Sequence, residues 1–193
     1  MKGKILRAEN VREEIDALRL SGVKIALTSG TFDLFHIGHA RYLRAAKEAG
    51  GPAAILVVGI DSDAKVRTRK GPRRPIVPED ERSEMVLHTY GDIAVIKEDG
   101  GEKWSLIKAV RPDVLVTSER SEYSPEDLDA LKAYCGEVVV LPSQAETSTS
   151  AKIRLLVISV AGEIGSSYRE LAEDLKGKID QFGDLIERLV KGW

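Results

Sequence analysis

The chain has 193 residues with 29 basic and 31 acidic side chains, a formal charge of −2, and 42% hydrophobic residues. That length and apolar content fit one α/β domain with a short appendage and exclude wholesale disorder. The near-neutral balance argues against a protein that coats nucleic acid, which needs a net basic face.

One cysteine, Cys135, forms no internal disulfide and cannot supply a structural zinc site. No apolar run reaches the ~18 residues of a membrane span, and charges sit where a signal peptide would have its apolar stretch. A cytoplasmic protein with no membrane partner is expected. A single Asn (Asn10), two Gln (Gln144, Gln181) and 31% charged residues point to a thermophile source.

In chain order, Val11, Ile15 and Leu18 at helical spacing predict an amphipathic helix over 9–20, stopped by Ser21-Gly22. Residues 23–27 read as a buried strand. A second helix is expected over 38–49, closed by Gly50-Gly51-Pro52. The run 53–59 is apolar throughout, as a central parallel strand covered on both faces requires. Helices over 79–89, 103–110 and 125–134 then alternate with strands over 93–96, 113–116 and 137–141.

This alternation predicts an α/β fold, a Rossmann-like parallel sheet with helices on both faces. In such sheets ligands bind beyond the carboxyl ends of the strands, where the strand order reverses. From Ser167 on, Leu171, Leu175, Ile179, Phe182, Ile186 and Leu189 form one apolar seam on a long helix. It reads either as a helix packed on its own domain or as a dimerisation arm. The expected division is an N-terminal helix over 1–22, a single main domain over 23–156 and a C-terminal helical extension over 157–193.

Three stretches carry chemistry. The first, Leu27-Thr28-Ser29-Gly30-Thr31-Phe32-Asp33-Leu34-Phe35-His36-Ile37-Gly38-His39, follows the first predicted strand and runs into a helix start. Small residues let a phosphate approach the backbone, and the helix offers the positive end of its dipole. His36 and His39, three apart, can face one anion. Alone, the pair also fits a metal site or two surface histidines; its place at a strand-to-helix crossing between glycines favours anion chemistry. The second stretch holds Lys65, Arg67, Arg69, Lys70, Arg73 and Arg74 with no acid among them, and its Gly and Pro residues predict a loop. Such a run is either a solvated face or a mobile lid over polyphosphate. The third, from Glu146 to Arg154, stacks hydroxyls ahead of a helix, where they cap its first turn and can also bond phosphate.

GTFDLFHIGH resembles the signature of the cytidylyltransferase-like nucleotidyltransferases. Residues 69–76 with Glu81-Arg82 are similar to the KGxxRP and ER segments of sugar-phosphate nucleotidyltransferases, among them heptose-1-phosphate adenylyltransferases and glycerol-3-phosphate cytidylyltransferases, and of archaeal FAD synthases. The third stretch is similar to the family's STTxI or SSTxxR motif, with Ala151 in place of one hydroxyl, Gln144 where an arginine precedes the motif in some cytidylyltransferases, and Thr117 to Tyr123 in place of a glycine- and aspartate-bearing segment.

The resemblance covers about 23–156 and implies an enzyme that moves a nucleoside monophosphate from ATP or CTP onto a sugar phosphate, polyol phosphate or FMN and releases pyrophosphate. It implies His36 and His39 as donors to the triphosphate, with Lys70, and Lys47 as a second candidate, neutralising the leaving pyrophosphate. Gly30, Thr31, Phe32, Gly38, Arg82, Thr149, Ser150, Ile153 and Arg154 complete the nucleotide site. Asp33, Arg73 and Arg74 fall on the acceptor, although Asp33 also reads as a helix cap. Mg²⁺ is expected on the triphosphate without a protein cage, and a homodimer is expected. The alternatives are a binding module of the same fold without turnover and a nucleic-acid binder using the 65–74 stretch.

Overall fold

A computed structural model describes residues 3–121, 123–145 and 148–191, except the side chains of 189 and 190. The chain forms two compact units, 1–149 and 150–193.

In the first unit the strands are β1 (Lys4–Arg7), β2 (Ile25–Gly30), β3 (Ile55–Asp61), β4 (Ile93–Lys97), β5 (Val114–Ser118) and β6 (Glu137–Leu141). The helices are α1 (Val11–Leu20), α2 (Ile37–Gly50), α3 (Asp63–Lys70), α4 (Glu79–Leu87), α5 (Ser105–Val110) and α6 (Pro125–Leu131). All six strands are parallel, in the order β1-β4-β3-β2-β5-β6. The expected Rossmann-like α/β sheet is therefore present.

Alternate residues of each strand feed two cores. One, holding Ile25, Leu27, Val57 and Val95, is closed by Val11, Ile15 and Leu18 of α1 and by Leu106 and Val110 of α5. The other, holding Ala26, Leu56, Val58 and Ala94, is closed by Leu43 and Ala46 of α2 and Val86 of α4. Strands covered on both faces need apolar residues at consecutive positions, and β3 has them from Leu56 to Ile60 apart from Gly59.

Two elements differ from the sequence reading. β1 is an edge strand that pairs with β4; its charged ends, Lys4 and Arg7, hide the pattern. The cationic stretch is helical from Lys65 to Lys70, within α3, and only 71–74 is the expected loop. Ser62 accepts a hydrogen bond from the Lys65 N–H, Asp63 sits in the first turn, and Arg67, Arg69 and Lys70 sit in the last, each placement favoured by the helix dipole. Gly71, at φ +93°, ends the helix in a conformation that costs other residues strain.

The second unit is the helix α7, which spans Thr149–Lys191 with only Thr149 counted in the first. Leu189, part of the predicted seam, has its side chain outside the described residues. No helix among the described residues is long and apolar enough to cross a membrane.

Candidate active site

The strand order reverses between β2 and β5, which stay in register only at Ala26–Val114 and Leu27–Leu115. Beyond those pairs the two strands part, and Tyr42 of α2 bridges them: its hydroxyl lies 2.7 Å from Thr28 Oγ1 and donates to the Val116 carbonyl at 3.3 Å. Burial pushes the Tyr42 phenol up to about 12, so it remains a neutral strut. A parallel sheet accepts ligands at this kind of opening.

The segment from Gly30 to His39 lines that edge. Phe32 and Leu34 both take positive φ, +52° and +45°, a conformation that side-chain-bearing residues rarely adopt and that recurs at binding sites. His36 caps α2: its Nδ1 accepts from the Gly38 N–H at 3.1 Å, which leaves Nε2 to carry the donor proton. The imidazoles of His36 and His39 stack with centroids 3.9 Å apart, and His39 also lies 5.4 Å from the rings of Phe32 and Phe35. A Cβ on Gly38 would come within 2.9 Å of the His36 ring and 2.6 Å of Ala145 Cβ. Gly38 is buried and its N–H is taken by His36, so it makes room for the ring; the sequence reading had it touching nucleotide.

The cations of α3 meet the end of β2. Lys70 Nζ and an Arg69 Nη donate to Thr31 Oγ1 at 3.0 and 2.9 Å, and that hydroxyl donates to Asp61 Oδ2 at 3.1 Å. Asp61, at the end of β3, also pairs with Arg69 at 2.8 Å and with Lys97 of β4 at 2.9 Å. Burial alone would raise the Asp61 carboxyl, but Lys97 and Arg69 outweigh it and hold it at about 2. Burial, then the neighbouring Arg69 and Arg74, lowers the Lys70 ammonium below the ordinary lysine range. Like charges so close to one another favour an incoming anion.

A carboxyl held below its ordinary 3.8 stabilises the fold fully above about pH 4 and loses that contribution as pH falls toward about 2. Asp61→Asn is therefore expected to remove about 2 kcal/mol of the acid-dependent loss, read by urea denaturation across that window. Parallel stability curves for parent and variant would contradict it.

Several predicted site residues lie elsewhere or are otherwise engaged. Arg82 is 1% exposed and donates to the carbonyls of Val77, Thr31 and Asp61 and to Asp63 Oδ1 at 2.6–2.9 Å. It ties the ends of β2 and β3 together, and its donors are engaged there. Asp33 is 2% exposed and accepts from Arg74 and from the N–H groups of Ile76 and Val77. Burial opposes its charge, but those bonds together hold its carboxyl below the usual range. Asp33 and Arg74 thus pin the 71–77 segment to the β2–α2 loop; the helix cap considered for Asp33 is supplied by His36. Arg73, next to Arg74 in the chain, is exposed.

Lys47 lies in the last turn of α2, about three turns from His36. It pairs with Asp92, which also accepts from the Leu56 N–H at the amino edge of β3. The sheet separates it from the carboxyl edge. Lys47→Ala is accordingly expected to leave turnover within about twofold of the parent; a loss of tenfold or more in steady-state rate would contradict this placement.

Thr149 reaches the β2–α2 loop, and its hydroxyl donates to the Asp33 carbonyl at 2.9 Å. Ser150, Ile153 and Arg154 occupy the first turns of α7 in the second unit. Glu146, Thr147 and Glu122, each in a stretch singled out from the sequence, lie outside the described residues. The sequence reading missed Asp61 and Lys97. Its only signal for them was polarity at the ends of two apolar strands.

The carboxylates at this edge bear on Mg²⁺. Asp33, Asp61 and Asp63 are each held by cationic side chains, and no group of three or more His, Cys, Asp or Glu among the described residues is arranged to hold a metal ion. A dedicated protein cage does not fit this donor set, whereas an ion carried on phosphate oxygens needs none.

A family model described as cytidylyltransferase-like matches residues 27–160. A protein named bifunctional protein HldE from Trichlorobacter lovleyi is 37% identical over 152 residues, covering 76% of this chain and 30% of the relative. Its namesake from Syntrophotalea carbinolica is 36% identical over 143 residues, 72% of this chain and 28% of the relative. The chain thus spans less than a third of the curated relatives it matches. A solved structure of a lipopolysaccharide core biosynthesis protein from Thermoplasma volcanium superposes with a TM-score of 0.52 at 24% identity, over 62% of this chain and 95% of the other, which speaks to the fold. From the sheet topology, the histidine pair at its switch point and the match over 27–160, the chain belongs to the cytidylyltransferase-like family.

Proposed function

We propose that this chain is a nucleotidyltransferase that moves a nucleoside monophosphate from ATP or CTP onto the phosphate of a small acceptor. A sugar phosphate, a polyol phosphate or FMN fits that role. The observation that carries the reading is the stacked His36–His39 pair at the start of α2, on the same sheet edge as the cations that end α3. Family membership supports it.

In the proposed reaction an acceptor phosphate oxygen attacks the α-phosphorus, the bond from that phosphorus to the bridging oxygen breaks, and pyrophosphate leaves with the electron pair. No protein nucleophile is needed. Two anions must be brought together and the charge growing on the leaving oxygens must be met. His36 and His39 donate from their rings to the triphosphate, the first through Nε2 because its Nδ1 is held by the helix start. Lys70 neutralises the departing pyrophosphate, and Arg73, exposed on the segment that follows, meets the acceptor. Gly30, Thr31 and Phe32 shape the nucleotide site, and Thr149, which donates to the Asp33 carbonyl, is proposed to join them. Asp33, Arg74 and Arg82 act through the backbone they hold. Mg²⁺ is proposed to arrive with the nucleotide and to offset triphosphate charge. Neither nucleic acid nor a membrane enters the scheme.

The test is pyrophosphate release in the presence of Mg²⁺, with ATP and CTP supplied separately against a panel of phosphorylated acceptors. Release that needs one nucleotide and one acceptor together supports the reading. Tight nucleotide binding without release across the panel would favour a binding module, and binding of neither nucleotide would overturn the reading.

A further inference from the structure

Taken by itself, α7 carries apolar side chains in an order that repeats every eleven residues. Ile153, Ile164, Leu175 and Ile186 hold one position of the repeat. Val157, Tyr168 and Ile179 fall four residues further on, and Val160, Leu171 and Phe182 seven further on. Eleven residues in three turns is close to the natural pitch of an α-helix, so the seam runs nearly straight, with a slight right-handed drift. From Val157 to Phe182 every seam side chain is 45–72% exposed.

A second feature lies beside the seam. Ala161, Gly165, Ala172 and Gly183 follow one flank of it, and a Cβ on Gly165 or Gly183 would meet nothing within 4 Å among the described residues. Glycine inside a helix lowers its stability, and among the described residues nothing packed against these two offsets that loss. Small residues beside an apolar seam allow another backbone to pass closely.

We propose that α7 pairs antiparallel with α7 of a second copy of this chain, about a twofold axis between Tyr168 and Leu171. This register sets Val157 against Phe182 of the second copy, Val160 against Ile179 and Ile164 against Leu175, while Gly165 faces Ala172. Charges choose the direction. On the other flank Glu163 falls opposite Lys178 of the second copy; Lys178 already holds Asp174 at 2.6 Å and so lies between two carboxylates. A parallel pair would instead place Lys178 beside Lys176 and leave Glu163 facing Ala161 and Gly165, with no opposite charge.

The area is adequate. The exposed part of the seam from Val157 to Phe182 amounts to about 600–1,100 Å² over two copies, at roughly 60–120 Å² for a full side chain. A stable interface of about 1,200–2,000 Å² with an apolar core needs about 800–1,300 Å² of it. The interface is isologous, so each contact occurs twice. It does not rest on the catalytic reading.

The test uses the full chain. Sedimentation at micromolar concentration is expected to give twice the mass of one chain, and Leu175→Glu to give a single chain with unchanged helix content. Glu163→Lys is expected to raise the dimer dissociation constant at least about tenfold, and adding Lys178→Glu to restore it to within about threefold. In a Cys135→Ala background, Ile164→Cys mixed with Leu175→Cys is expected to form a disulfide across the axis, whereas Leu175→Cys alone does not. A monomeric parent, a dimer unmoved by Leu175→Glu, or self-linking of Leu175→Cys, which reports a parallel pair, would each overturn the proposal.

Discussion

The His39→Ala protein is expected to fold like the parent and to transfer nucleotide at least about a hundredfold more slowly, the range seen when one donor to a developing oxyanion is removed. The His39 ring is half-buried between Phe32 and Phe35 and stacked on His36, so its position is fixed before any nucleotide arrives. Fixed donors lose little on reaching the transition state, whereas a mobile one must first be ordered. Most of the loss should therefore fall on turnover, with nucleotide affinity changed less.

His36 offers a sharper comparison because it has two tasks. Its Nδ1 caps α2 and its Nε2 carries the ring proton. His36→Ala is expected to lose activity and also about 1 kcal/mol of stability, the usual worth of a cap. His36→Asn keeps an acceptor for the Gly38 N–H and should regain the stability without the activity. Thermal unfolding beside steady-state kinetics separates the two effects. Recovery of full activity in His36→Asn would show that only the cap matters.

Arg82→Ala is expected to cost about 3–5 kcal/mol. The guanidinium is buried, and its removal leaves the carbonyls of Val77, Thr31 and Asp61 without those donors and strips Asp63 of its buried partner. Unmet buried acceptors lose their hydration with nothing in exchange. Arg82→Lys keeps the charge but not the planar fork that reaches several carbonyls at once, so it should recover only part of the loss. Urea denaturation measures both. A cost below about 1 kcal/mol for Arg82→Ala would show that the clamp contributes little.

The sheet was legible because its signals are local. The run 53–59 is apolar without interruption, and Val11, Ile15 and Leu18 recur at helical spacing; β3 and α1 follow, with β3 running two residues further than read and α1 starting two residues later. The β2–α2 loop was legible for the same reason, since its glycines and histidines are contiguous. Residues whose surroundings come from distant strands were misread. Arg82 looks like a surface arginine on a charged helix, and only the ends of β2 and β3 bury it. Lys47 and Asp33 found partners 45 and 41 residues away, in Asp92 and Arg74. Gly71 and Pro72 inside the cationic stretch hide the helix that precedes them, while the Ser62 cap that starts α3 carries little weight against so many charges.

Attack on the α-phosphorus with pyrophosphate as the leaving group fixes where the label of a nucleoside triphosphate must go. With the triphosphate labelled at the α-phosphate, the label is predicted to pass into the acceptor product; with the γ-phosphate labelled, it is predicted to leave in pyrophosphate. Both transfers should fall together in His39→Ala. Label from the γ-phosphate in the acceptor, or released as orthophosphate, would mean a kinase or a hydrolase and would contradict the account.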